Sequence, residues 1–372
     1  MASGEHTTRI GAILLTVQRS SLCTGLYRRA GAGENKILPH LFMGNESQID
    51  QLRQDPTGEI IWPAPSWVNY RPQPETRRWH HSLPFHFGLF LLTVLTTRVV
   101  GTHIAINYAQ NVPAFDWDVS LAFFRELWRH PSLLQKGVPF SFTLLSILLA
   151  HELGHYLTCR HYRIHATYPY FIPAPTLIGT LGAFIRIKSP IVNRRELFDV
   201  GISGPLAGFA FAIPALLVAT FLAKGTMPAA TADSISLGNP MAAILLARIF
   251  RSGINPAEII LHPVGCAAWV GLFATALNLL PVGQLDGGHI LYAVLGDKCR
   301  NISLGFCIVL LPLGYFCWEG WLAWALILVF LGLRHPTLIE PVEPLGRKRK
   351  ILAVLAAMIL ILTFLPTPFK TQ

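Results

Sequence analysis

An apolar run long enough to cross a bilayer, Pro139–Leu157, ends in His151-Glu-Leu-Gly-His155. Each ionisable side chain at the centre of a bilayer costs about 2.5–3.5 kcal/mol even on the lowest scales. Three of them within five residues therefore need a reason, and a metal site inside a membrane protein is the simplest. On a helix, imidazoles four residues apart share one face and can hold a single Zn²⁺. Glu152 lies three residues before His155, so its carboxylate lies close to that face. It can take a proton from metal-bound water without being a ligand itself.

Composition matters here because it decides whether the run is a membrane span or a soluble core helix. Of 372 residues, 52% are hydrophobic and only 13% are charged, which excludes an ordinary soluble domain. The net charge of +10 is not spread along a nucleic-acid-binding face. Arg77, Arg78, Arg160, Arg163, Arg194, Arg195 and Arg347–Lys350 stand beside apolar runs, the pattern of cytoplasmic loops, and no nucleic-acid partner is expected. The six cysteines form no CxxC pair and are expected to be packing residues.

The expected fold class is an all-α polytopic membrane protein with about six to seven transmembrane helices and a re-entrant loop or β-hairpin after the HExxH helix. The spans are expected near 83–104, 139–157, 197–222, 267–280, 302–316, 318–333 and 351–365. Residues 1–82 are expected to form a cytoplasmic, partly disordered segment, 83–366 the transmembrane domain with its core at 139–295, and 367–372 a tail. Ser120–Arg129 reads as an amphipathic stretch suited to an interface, and Pro240–Phe250 as a short helix in an outer loop. Arg98, inside the first span, must snorkel or face the bundle. Residues 168–192 contain too many prolines and glycines for a straight helix, and Phe184, Arg186 and Lys188 alternate with apolar neighbours. That alternation predicts extended structure.

With the N-terminus in the cytoplasm, odd spans run outward and even spans inward, and the basic clusters then fall on the inner side. The HExxH and the segment around Asp286 come to the same depth. Asp286 follows a helix break at Pro281-Val-Gly283, and Gly283, Gly287 and Gly288 let the chain turn there. His151, His155 and Asp286 thus supply the three protein ligands of a catalytic zinc site, one ion per chain, with a fourth position open.

Three segments together carry a resemblance: His151-Glu-Leu-Gly-His155, Gly201-Ile-Ser-Gly-Pro205-Leu-Ala-Gly208, and Asn278-Leu-Leu-Pro-Val-Gly-Gln-Leu-Asp286-Gly-Gly. Over 139–295 the chain resembles the site-2 protease family of intramembrane zinc metalloproteases, peptidase family M50. The loop 224–257 is too short for an inserted PDZ-like domain, so the branch without one is expected. The pre-hairpin sequence Phe171-Ile-Pro-Ala-Pro with Ile178-Gly-Thr180 looks like the branch of bacterial homologues and plant chloroplast members. The resemblance implies cleavage of a transmembrane protein substrate within the lipid bilayer. It implies His151, His155 and Asp286 as metal ligands, Glu152 as the catalytic acid–base, and Asn278 as a substrate contact. A bacterial cytoplasmic membrane is the expected location; an Arg-rich, acid-poor leader also fits an organellar transit peptide. The sequence sets no oligomeric state.

An extended edge at Gly182–Lys188 could receive an unwound substrate by strand addition, with Gly182 and Phe184 as contacts. The Gly201–Gly208 set reads as helix packing, and His289 as a packing histidine or one behind the ligands. Two other functions compete. A catalytically inactive scaffold or chaperone of the same fold would keep the helices and lose turnover. A membrane di-iron desaturase or hydroxylase would use His151, His155, His161 and His165 together, but it leaves Glu152 and the Asp286 segment unexplained.

Overall fold

The computed structural model describes residues 53–54, 60–61, 83–116, 121–225, 234–251, 259–332 and 344–371. Most of the expected segment 1–82 lies outside the described residues. Within it, β1 (Arg53–Gln54) pairs antiparallel with β2 (Ile60–Ile61), in a unit separate from the rest of the chain.

The second unit, 76–372, is a helical bundle. It contains α1 (Leu83–Gln110), β3 (Phe115–Asp116), α2 (Leu121–Arg129), α3 (Val138–His161), β4 (Tyr170–Pro173), β5 (Thr180–Phe184), α4 (Arg194–Leu222), β6 (Ser234–Leu237) and α5 (Met241–Phe250). After these come α6 (Pro263–Asn278), α7 (Asp286–Leu295), α8 (Cys299–Phe316), α9 (Gly320–Leu331), α10 (Arg347–Thr363) and β7 (Phe369–Thr371). Among the described residues, the helical stretches Leu83–Gln110, Pro131–His161, Arg194–Leu222 and Asp286–Phe316 are long and apolar enough to cross a membrane. The chain is therefore a polytopic membrane protein.

The first three expected spans are full-length helices. Further along, the expected spans correspond to shorter helices. α6 has 16 residues, ~24 Å at 1.5 Å per residue, and stops short of a ~30 Å hydrocarbon layer. Its path continues through a break at 279–285 into α7. The stretch 286–316 is not one straight span: Gly296 turns it at φ +61°, and Ser303 Oγ comes back to donate to the Pro281 carbonyl at 2.8 Å. α9 has 12 residues and reaches the break from the other side, where Gly332 lies against Gly283.

Local chemistry explains where these pieces begin. Asn193 caps α4 by accepting from the Glu196 N–H at 2.9 Å, while Glu196 reaches back to the Asn193 amide at 3.0 Å. His262 accepts from the Val264 N–H, and Pro263 occupies the first position of α6, where no N–H is needed. Arg98 faces protein, donating Nε to the Leu134 carbonyl in the 3-10 turn Pro131–Gly137. The amphipathic α2 lies beside α1, with the His103 and Phe123 rings 5.2 Å apart. Its exposed Leu121 and Trp128 suit the membrane interface.

The expected hairpin is present as β4–β5, paired Tyr170 to Phe184 and Phe171 to Ala183. A three-stranded sheet was not expected. β3, β6 and β7 pair antiparallel at the far end from the basic clusters, so residues 369–371 of the expected tail are built into the fold. Phe369 packs on Trp269, whose indole N–H donates to the Gly238 carbonyl at 2.6 Å.

The 3-10 turn approaches α1 so closely that a Cβ on Gly137 would stand 2.0 Å from the Arg98 carbonyl oxygen. Gly137→Ala is therefore expected to destabilise the detergent-solubilised protein by about 1–3 kcal/mol. Gly305→Ala, whose Cβ meets open space, should leave the thermal midpoint nearly unchanged in the same unfolding measurement.

Candidate metal centre

α3 places His151 and His155 one turn apart, both buried within apolar helices. The break after α6 places Asp286 at the first position of α7, facing them. His151 Nε2 lies 3.3 Å from Asp286 Oδ2, His155 Nε2 lies 3.2 Å from the same oxygen, and the two Nε2 atoms are 3.1 Å apart. Four tetrahedral ligands at ~2.05 Å from a zinc ion stand ~3.3 Å from one another. The three donors thus form one face of such a tetrahedron. Without an ion, two imidazole nitrogens 3.1 Å apart can share at most one proton. The donor set therefore fits a metal, with the fourth position left for water or substrate.

The ring orientation of His155 is fixed from behind. Its Nδ1 donates to the Val200 carbonyl of α4 at 2.7 Å, which leaves Nε2 as the free donor for the ion. Asn278, the last residue of α6, brings its side-chain nitrogen to 3.2 Å from His151 Nε2. Glu152 is buried beside the two histidines, and the backbone N–H of Ile185, just past β5, faces its carboxylate.

The glycines of α4, expected only to let helices pack, face the donors instead. A Cβ on Gly204 would fall 2.1 Å from His155 Nε2, and one on Gly208 3.2 Å from His151 Nδ1. These positions are the room in which the imidazoles sit. The signal in the sequence was their spacing, 204 and 208, which puts both on one helix face. The three glycines at the break let the chain turn: Gly283 has φ +54°, and Gly287 and Gly288 lie against the carbonyls of Leu279 and Gly283, where no Cβ fits.

The remaining site expectations separate. His289 lies beside Gly201, where an added Cβ would stand 3.0 Å from the Cβ of His289, and it is not one of the donors. Among the described residues the metal-capable group is His151, His155 and Asp286, with neither His161 nor His165 in it, so the di-iron grouping does not form. Gly182 has φ +100°, and Phe184 is half-exposed and stacked on Tyr170 at 5.2 Å. Both stand on the hairpin rather than at the donors. Sequence reasoning missed Val200, whose contribution is a backbone carbonyl.

Three donor atoms with a carboxylate beside them, set within long apolar helices, form a group that could hold a metal ion in a membrane protein. Residues 139–313 match the model of Peptidase family M50, and through this domain the chain belongs to that family, the site-2 proteases. It is similar to the Arabidopsis thaliana proteins named "Probable zinc metalloprotease EGY1, chloroplastic" and "Probable zinc metalloprotease EGY2, chloroplastic". The first is 31% identical over 289 residues, 75% of this chain and 52% of that protein; the second is 31% identical over 269 residues, 70% and 47%. The rice (Oryza sativa subsp. japonica) EGY1 protein is 30% identical over 244 residues, 63% and 41%. The chain spans about half the length of the curated relatives it matches. Donor set and family together assign zinc as the metal.

Gly204→Ala is expected to displace the His155 ring and to cut zinc content well below one per chain. Metal analysis of the purified variant beside wild type checks this, with Gly305→Ala expected to retain its zinc.

Proposed function

We propose that the chain is an intramembrane zinc metalloprotease that hydrolyses peptide bonds in or near the transmembrane segments of membrane-protein substrates. The observation that carries this reading is the triangle of His151, His155 and Asp286 donors beside a buried Glu152 inside apolar helices. In the proposed assignment those three side chains hold the metal and Glu152 does the proton work. When bound, zinc supplies a Lewis acid that acidifies water and polarises a carbonyl. Glu152 takes a proton from the attacking water and later gives it to the amine nitrogen that leaves. Asn278, next to the donors, is proposed to hold the substrate carbonyl through its amide N–H.

The hairpin is proposed to receive the substrate. A transmembrane helix hides its peptide groups in its own hydrogen bonds, so cleavage requires unwinding and new backbone partners. The edge of β5 offers them. Arg186 is engaged on the inner side, its N–H donating to Thr167 Oγ1 at 2.9 Å and its carbonyl accepting from the Thr167 N–H at 3.0 Å. Ile185 alternates to the other side, towards Glu152. A strand added there would run past the metal, with Gly182 and Phe184 bordering it.

The N-terminus is proposed to lie on the cytoplasmic side, where the charge bias puts the basic clusters. The bacterial cytoplasmic membrane is the location proposed from the sequence. The plant relatives named chloroplastic offer a second one, and fractionation of native cells separates the two.

The test uses full-length protein in proteoliposomes with a tethered transmembrane substrate. Wild type should hold about one zinc and cleave. His151→Ala and Asp286→Ala should lose the zinc, whereas Glu152→Gln should keep it and lose turnover by about 10²–10⁴-fold. Equal cleavage by Glu152→Gln and wild type would sink the protease reading, and no cleavage by either would favour the scaffold. Proline at Phe184 disturbs the edge of β5 without touching the donors. It should lower turnover with zinc content unchanged, and unchanged turnover would remove the hairpin role.

A further inference from the structure

A polar cluster away from the donors joins three helices at the basic end of the bundle. Arg349, in the first turn of α10, donates Nε to Asp199 Oδ1 at 2.8 Å and Nη2 to Asp199 Oδ2 at 2.6 Å. Tyr162, which follows the last residue of α3, donates its hydroxyl to the same Oδ2 at 2.5 Å. The phenol oxygen also lies 3.4 Å from Arg349 Nη2. A single ion pair at this partial exposure contributes little. This one is a two-pronged fork with a third partner, so its geometry is fixed.

The position of the cluster gives it a role. Asp199 directly precedes Val200, the residue whose carbonyl holds His155 Nδ1 at 2.7 Å. Tyr162 lies on the same helix path as His155, two turns further on. The fork therefore grips α4 one residue from the carbonyl and grips α3 just beyond the imidazole that this carbonyl orients. Adhesion of α10 does not need it: Ala356 and Ile359 already pack into an apolar cluster with Leu197, Phe198 and Ile202 of α4. What the fork adds is register. Hydrogen bonds weaken steeply with misalignment, so a small rotation of the first turns of α4 would loosen the hold on the His155 ring. Burial, reinforced by the Asp199 carboxylate, pushes the Tyr162 hydroxyl pKa up, so it stays a donor around neutral pH.

We propose that Arg349 is a positioning residue for the metal centre, acting through Asp199 and the Val200 carbonyl on His155, so that α10 sets the affinity for zinc. The proposal rests on the reading of His151, His155 and Asp286 as zinc ligands. The full-length protein in detergent is stripped of metal, and zinc affinity is measured by competition with a chelating dye. The visible spectrum of the Co²⁺-loaded form and the thermal midpoint of the metal-free form are recorded in parallel. Arg349→Gln should bind zinc about tenfold more weakly, the lower end of what partners behind a ligand contribute. Its Co²⁺ bands should shift while the metal-free midpoint stays near wild type. Arg349→Lys, which keeps the charge and loses the fork, should recover part of the affinity.

If the glutamine variant does not fold, the lysine variant is read against wild type in the same way. Wild-type zinc affinity in the folded variant overturns the proposal. So does a lowered metal-free midpoint with unchanged affinity and spectrum, because that is the mark of a purely structural contact. A wild type that takes up no zinc would defeat the metal reading and this proposal together, which separates the two failures.

Discussion

Two buried imidazoles and a partly buried carboxylate with their donor atoms 3.1–3.3 Å apart are the constraint around which this bundle is arranged. Leaving them unpaired among apolar helices would cost several kcal/mol, and pairing them only with one another leaves lone pairs in conflict. A divalent ion resolves both problems at once. The helices then have to deliver three donors without crowding them. α4 does so by presenting glycine where a side chain would strike the rings, and by lending a backbone carbonyl to His155.

Delivering Asp286 has a different consequence. A carboxylate in the middle of a continuous helix would have its backbone fixed and its approach limited, so the chain breaks between α6 and α7. The new helix starts at Asp286, where its N-terminal dipole favours a negative charge. Irregular backbone at membrane depth survives only when protein covers it. Leu280 and Val282 are buried in the break, Trp321 and Leu310 pack over them, and Ser303 satisfies the Pro281 carbonyl. The half-length α9 and the bend at Gly296 are thus part of the same solution. They supply the cover that the break requires.

That dependence marks how far the sequence could be read. The HExxH turn, the Asp286 break, the hairpin, α2 and α5 were legible because each is coded by residues close in the chain: a four-residue spacing, a Pro-Gly interruption, an alternation, an apolar stripe. What stayed hidden is non-local. How a short apolar helix such as 263–278 or 320–331 is continued and covered depends on its neighbours, which the local sequence does not show. The β3–β6–β7 sheet joins residue 115 to 235 and 235 to 371, with no local alternation to announce it. Gly204 reads as a packing glycine until the His155 ring is seen in its place. Arg349 reads as one more membrane-flanking cation until it is found 150 residues away in sequence, on Asp199.

In the proposed function the hairpin would bring the same physics to the substrate. A strand edge is a row of unpaired amides, and in hydrocarbon each unpaired group costs several kcal/mol. An edge within a membrane protein is therefore tolerable where it looks onto protein or a wet cavity, and the Ile185 amide looks onto Glu152. An incoming segment that exchanges its helical hydrogen bonds for those of β5 would lie between this amide and the donor triangle. The need to compensate an unwound backbone and the need to set a peptide carbonyl beside the metal are then met by one geometry. In the proposed function the strand edge and the Glu152 carboxylate would hold the same peptide between them, with the β4–β5 hairpin following α3 in the chain.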